Sequence, residues 1–343
     1  MENTEDPGLV IYSKTGRTLE DIARSVDLPP EAGSADHESH HIVFSPGSIR
    51  LKRRNSRSSQ KSSNYVARKA ISGWSRKSRS NMVSRFATLD YSPMLTDPNR
   101  LAVMITLTYP GDWLTVAPTS KHAKNHLHAF RKQFERRFGQ PFYGLWKAEF
   151  QRRGAVHFHI FCVAPVAIQE FREWVALSWS SIVNHPDEDQ RAKHQRAGTA
   201  VDIAPAAFIG DTRMIATYFS KHSSPNFGVK NYQNHAPEEW IKSGSVGRFW
   251  GYWKLKPIEL EARLTEREVV QIARILRKWF RSKGFIRRDR VMRIDQHGVI
   301  RFRSVRRRST RLNHSYGFLV VAEPIAVASC IERFLSPNRG RRK

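Results

Sequence analysis

Glu149-Phe-Gln-Arg-Arg-Gly-Ala-Val-His-Phe-His-Ile-Phe-Cys-Val163 is the stretch whose reading decides the fold. Side chains alternate between the faces of a strand, so His157 and His159 share one face. Their neighbours are apolar, β-branched or aromatic, as a buried strand requires. Gln151-Arg-Arg-Gly154 supplies a turn, with Gly154 free to take positive φ. A three-residue loop of Arg152, Arg153 and Gly154 sets Gln151 opposite Ala155 and Glu149 opposite His157. Two histidines and a carboxylate then occupy one patch of one sheet face. That trio has little structural use in an apolar strand and suits a small divalent-metal site.

Upstream, Leu101–Tyr109 reads as a strand ended by Pro110-Gly111-Asp112, and Asp112 is a reserve carboxylate ligand. Thr106 and Thr108 share a face of that strand and pack beneath the site. Thr119–Phe138 predicts a helix whose apolar stripe holds Ala123, Leu127, Phe130, Phe134 and Phe138. His122 and His126 lie on the same helix, but no carboxylate falls at matching positions, so they read as a solvated face. Downstream, Ile168–Val183 repeats the amphipathic pattern, and Thr199–Ile203 predicts a short strand. Asp211–His222 predicts a helix capped by Asp211 and stopped before Pro225. The order β-α-β-β-α-β and then a helix predicts an α+β fold: an open antiparallel sheet with helices on one face.

That last helix carries a second constellation. Tyr218 and Lys221, three residues apart, share a helix face. A phenol with pKa near 10 is a weak nucleophile unless a cation favours its phenolate. Lys221 supplies that charge and can also neutralise a phosphate. Metal, tyrosine and lysine are together suited to one reaction. The metal polarises a phosphodiester, the tyrosine attacks phosphorus and the 3′-OH leaves. The product, a 5′-phosphotyrosine, keeps the bond energy for rejoining.

The charge balance points to the same substrate. Lys and Arg outnumber Asp and Glu 58 to 31, a net charge of +27. Such an excess attracts polyanions, nucleic acid foremost. The charge is concentrated in 50–89, which contains no acid, and in 274–311. Residues 1–41 are acidic instead. Candidate phosphate contacts are Arg53, Arg54, Arg76, Lys77 and Arg79 before the core, Arg152 and Arg153 in the turn, and Arg248 after it. Arg306, Arg307 and Arg308 extend the set into the C-terminal part. Trp250 reads either as a base-stacking ring or as core, as do Trp240 and Trp253.

At these residues the sequence resembles the HUH endonucleases, specifically the rolling-circle replication initiators of plasmids and phages. Met104-Ile-Thr-Leu-Thr-Tyr-Pro110 is similar to the family's first strand motif, His157-Phe-His159 to its metal motif, and Tyr218-Phe-Ser-Lys221 to its nucleophile helix. Glu149 stands where many members carry a third ligand. Gly247-Arg-Phe-Trp-Gly251 resembles a segment that follows the catalytic helix. The resemblance covers 65–257. It implies an RRM-like antiparallel palm, a Mg²⁺ or Mn²⁺ ion and single-stranded origin DNA as substrate. It also implies a host helicase and polymerase as partners, with no small-molecule cofactor. Members with two tyrosines carry the second four residues on, where this chain has His222, so one nucleophile is expected. A mobilisation relaxase, a transposase of the same chemistry, or a non-catalytic RRM-like nucleic-acid binder are the alternatives.

Three segments are expected: 1–62 largely disordered, 63–260 the endonuclease domain, and 261–343 a basic helix and DNA-binding tail. Leu19–Val26 predicts a short helix within the first. Thr265-Glu-Arg-Glu268 is a capping box opening a helix to about Lys283, followed by a hairpin turning near Gln296-His-Gly298. Two cysteines, Cys162 and Cys330, rule out a disulfide framework and suit a reducing cytoplasm. The start of the chain lacks the charge and apolar run of a signal peptide. The longest apolar stretch, Phe318–Ile331, is broken by Glu323-Pro324, so no membrane span is expected.

Overall fold

The computed structural model describes residues 18–27, 39–54, 71–94, 96–97, 99–204, 231–244, 246–283, 286–294, 299–308, 318–320 and 324–340. Chain contacts define two units, one of 63–258 and one of 10–62 with 259–343.

The chain opens with elements of the second unit. Helix α1 (Leu19–Val26) is started by Thr18, whose hydroxyl accepts from Asp21 N while the Asp21 carboxylate accepts from Thr18 N, a reciprocal cap. Strands β1 (Ser39–Ser45) and β2 (Ser48–Arg54) form a hairpin that turns between Ser45 and Ser48. Among the described residues, these elements correct the expectation of a largely disordered 1–62. The reason is long-range. Ile42, Phe44, Ile49 and Leu51 share one hairpin face by register, and the residues that bury it come from 260–335.

The first unit begins with α2 (Arg76–Phe86), where Ser75 accepts from Ser78 N at 3.0 Å. Strand β3 (Ala102–Leu107) leads through the short α3 (Trp113–Val116) to α4 (Ser120–Phe138). Ala123, Leu127, Phe130 and Phe134 of α4 are buried, and Gly139 ends the helix at φ +62°. Next come β4 (Gly144–Phe150), β5 (Val156–Val163), α5 (Ile168–Val183), α6 (Glu188–Ala197) and β6 (Thr199–Ile203). With β7 (Trp250–Trp253) they make a five-stranded antiparallel sheet ordered β6-β3-β5-β4-β7.

The sheet has two distinct faces. Ala123 of α4 meets the face of Ala148, Phe150, Val156 and Phe158. Aromatic packing locks α4 to α5 above it: Phe130 contacts Trp174 at 5.3 Å, and Phe134 stacks on Phe142 at 4.3 Å. The alternate residues of β4 and β5, including both histidines of the motif, form the other face. Phe86 of α2 meets Trp250 edge-on at 5.5 Å at the margin of that second face. Helix α6 leaves no mark in the hydrophobic pattern, since only His194 of that helix is buried and no apolar stripe exists. Its start is set by Asp187, which accepts from Gln190 N at 2.8 Å.

The remaining elements complete the second unit. Strand β8 (Leu260–Leu264) pairs with β1, and the helix Glu266–Lys283 follows. The expected capping box is present, with Thr265 N donating to Glu268 Oε2 at 2.9 Å and Glu268 N to Thr265 Oγ1 at 3.3 Å. Strands β9 (Ile286–Ile294) and β10 (Ile300–Arg308) form a separate two-stranded ribbon. Strand β11 (Phe318–Val320) joins β2, giving a four-stranded sheet β11-β2-β1-β8. The helix Pro324–Gly340 supplies Val327, Ala328 and Ile331 to a core shared with Ile22, Val26, Ile272 and Leu276. No helix of the described residues is long and apolar enough to cross a membrane.

Candidate functional site

The site is built by the β4–β5 hairpin. Gln151 N donates to Ala155 O at 2.8 Å, and Gly154 N to Gln151 O at 2.9 Å. Gly154 lies at φ +86°, where a side chain would be strained. This three-residue loop sets the register Glu149↔His157 and Lys147↔His159, while β3 brings Thr106 opposite His159 from the other side. Period 2 then places Thr106, Lys147, Glu149, His157 and His159 on one face.

Glu149 is the hub. Its Oε1 accepts from Lys147 Nζ at 2.7 Å, and its Oε2 lies 3.3 Å from His159 Nε2. The other ring nitrogen of His159, Nδ1, is hydrogen-bonded to Thr106 Oγ1 at 3.2 Å. The rings of His157 and His159 are 5.8 Å apart. His157 Nε2 is buried and has no hydrogen-bond partner among the described residues.

Burial works to raise the Glu149 carboxyl, but the His159 hydrogen bond and the Lys147 charge outweigh it and hold it at about 2. It is therefore an anion at neutral pH. Burial pulls Lys147 down, opposed by Glu149. Burial and neighbouring His159 push His157 down to about 4, against the pull of Glu149 and with a further push from Arg153. His157 is thus neutral at pH 7, the form that ligates metals.

A neutral imidazole with an orphaned buried nitrogen, beside a carboxylate held ionised, has the donor chemistry of a divalent-cation site. As they stand, no three His, Cys, Asp or Glu side chains of the described residues converge in metal-holding geometry. The Glu149 oxygens account for this, since Lys147 and His159 already engage them. The donor types fit a cation that replaces one of those contacts.

Tyr218 and Lys221, with the helix expected over 211–222, lie outside the described residues. Asp112 is not part of the site; its Oδ2 accepts from Thr115 Oγ1 at 2.5 Å. His126 Nδ1 is hydrogen-bonded to the Tyr109 hydroxyl at 3.1 Å, so it is a packed histidine. Arg153 donates to the backbone carbonyls of Tyr109, Pro110 and Gly111 and to Gln151 Oε1, which braces the hairpin against the loop after β3. Its guanidinium is engaged in the protein, whereas Arg152 beside it is exposed.

Lys77 and Arg248 are exposed in the first unit, and Arg79 donates to Trp74 O and Asn234 Oδ1. Arg53 is exposed on β2. Arg54 and Arg76 are placed by backbone on β2 and α2, and Arg306, Arg307 and Arg308 on β10. Trp250 donates from Nε1 to Ser78 Oγ at 3.1 Å and packs on Phe86. Trp240 is buried and donates to Ala117 O at 3.0 Å, and Trp253 packs on Phe142 at 5.0 Å. All three rings are packed within the unit.

Lys147 is the functional candidate that sequence reasoning missed. Its signal was present: it lies two residues before Glu149, on the same strand face, and the loop register puts it opposite His159.

Comparison with curated proteins and with solved structures finds no match. A family model for replication-associated proteins of the ORF2 type matches residues 102–223, which run from β3 through the histidine hairpin to the segment holding Tyr218 and Lys221. Over those residues the chain is similar to a family of replication-associated proteins, and that similarity supports a role in initiating replication.

Proposed function

We propose that the protein initiates rolling-circle DNA replication by nicking single-stranded origin DNA. The observation that carries this reading is the register that sets Glu149 opposite His157 and within 3.3 Å of His159. It gathers two imidazoles and one ionised carboxylate within the segment similar to replication-associated proteins. His157, His159 and Glu149 hold a Mg²⁺ or Mn²⁺ ion, which when bound polarises the scissile phosphodiester. Thr106 fixes the His159 ring through Nδ1. Tyr218 is the nucleophile: its phenolic proton is lost to solvent, and Lys221 favours the phenolate. The Tyr218 oxygen bonds to phosphorus as the P–O3′ bond breaks. The 3′ oxygen leaves with the electron pair and takes a proton, and the protein stays on the 5′ phosphate. Attack by a 3′-OH on that phosphotyrosine reverses the step and rejoins the strand.

A cleavage assay on single-stranded origin DNA with a denaturing gel tests the metal role. His157→Ala and His159→Ala each abolish cleavage while leaving DNA binding largely intact, and a chelator reproduces both. Full cleavage in excess chelator rejects the metal centre.

A further inference from the structure

We infer that the β9–β10 ribbon is a binding element for double-stranded DNA, seated in the major groove. The ribbon carries four arginines on β9 and five on β10, with Asp289 as the one acid. Its register sets Arg287 opposite Arg307, Arg288 opposite Arg306, and Arg293 opposite Arg301. Like charges directly opposed weaken an antiparallel ladder. A two-stranded ribbon is already marginal in water, and neither edge pairs with a further strand among the described residues. The sequence therefore keeps three opposed pairs in the arrangement that most needs a polyanion to neutralise it.

The polyanion that fits is a duplex. By period 2, the pairs at 287/307 and 293/301 fall on one ribbon face and the pair at 288/306 on the other. Charge on both faces suits a groove walled by phosphates on both sides. The major groove admits a two-stranded β-ribbon. Nine residues per strand span about 30 Å, close to one helical turn of B-DNA. The ribbon tip is apolar and exposed: Ile294 is 63%, Val299 51% and Ile300 55% exposed. Such a tip complements the thymine methyl groups on the groove floor. This inference rests on the ribbon alone and is independent of the nicking reading.

The test uses the full chain with Arg301→Glu, Arg306→Glu and Arg307→Glu combined. Each new carboxylate faces an arginine, so the ladder gains opposite-charge pairs and loss of binding cannot come from melting of the ribbon. Binding is titrated by fluorescence anisotropy on a duplex of about two helical turns and on its single strand. Dimethyl sulfate reports guanine N7 in the major groove. The wild type should protect N7, and the variant should bind the duplex about tenfold or more weaker, with a salt slope shallower by at least about one unit. Its single-strand binding should be unchanged. Retained duplex affinity in the variant, no N7 protection by the wild type, or an equal loss on the single strand each overturns the proposal.

Discussion

Lys147 Nζ lies 2.7 Å from Glu149 Oε1, with the lysine side chain 1% and the carboxylate 7% exposed. A buried ion pair seldom adds much stability over an apolar pair, yet losing one partner is costly because the other charge is left bare. Here the pair sits on the face that carries both histidines, so Lys147 is both the support of Glu149 and the competitor of any cation the carboxylate binds.

Lys147→Met should therefore destabilise the protein by about 3 kcal/mol. A divalent cation should recover much of that loss, because it replaces the missing ammonium against Glu149. Thermal melts of wild type and variant with and without Mn²⁺ check this. An equal metal response in both would show that Lys147 and the cation do not compete.

The hairpin was legible because its loop chemistry is local. Gly154 at positive φ and the three-residue turn fix the register, and from the register follow Glu149, His157 and His159. The stripes of α4 and the capping box at Thr265 were equally local signals. The β1–β2 hairpin was not legible, because Ser39–Arg54 is rich in His, Ser and Arg and finds its partners more than 200 residues away. Helix α6 has no periodicity to read, and β7 is a four-residue edge strand. Lys147 was overlooked because a lysine in an apolar strand reads as an exposed residue until the pairing shows it facing His159.

Thr106→Val should leave the fold intact and weaken the metal site. The hydroxyl is hydrogen-bonded to His159 Nδ1, and losing such an orienting contact typically costs 10- to 100-fold in metal affinity, an order-of-magnitude expectation. Calorimetric Mn²⁺ titration measures it. Unchanged affinity would mean that packing alone orients His159.

Stability should fall as pH drops from about 6.5 to about 4, because the unfolded chain then protonates His157 while the folded chain resists to about 4. His126 and His194 are also lowered, chiefly by burial, and act in the same direction. Glu149 adds a second window: its folded value of about 2 gives stability that is present above its unfolded value and lost as pH falls from about 4.5 to 2. Urea midpoints against pH should show a shallower slope between 6.5 and 4 for His157→Gln. An identical slope would show that His157 protonates as readily folded as unfolded.

Arg152 and Arg153 are adjacent but should behave differently. Arg153→Ala removes donors to three carbonyls and should cost about 1–2 kcal/mol of stability without changing the salt dependence of DNA binding. Arg152→Ala should leave stability unchanged and flatten the salt slope by about one unit. Denaturation and salt titrations on both variants decide this, and the reverse pattern would make Arg153 the DNA contact.

The central claim is tested most directly by mapping the protein–DNA link after cleavage of single-stranded origin DNA with Mg²⁺ or Mn²⁺. Peptide mapping by mass spectrometry should place a 5′-phosphate on Tyr218. Tyr218→Phe, which removes only the hydroxyl, should bind DNA and metal normally and form no adduct. Cleavage that leaves a free phosphate end and no adduct, or a link on Tyr109 or Tyr232, would contradict the assignment.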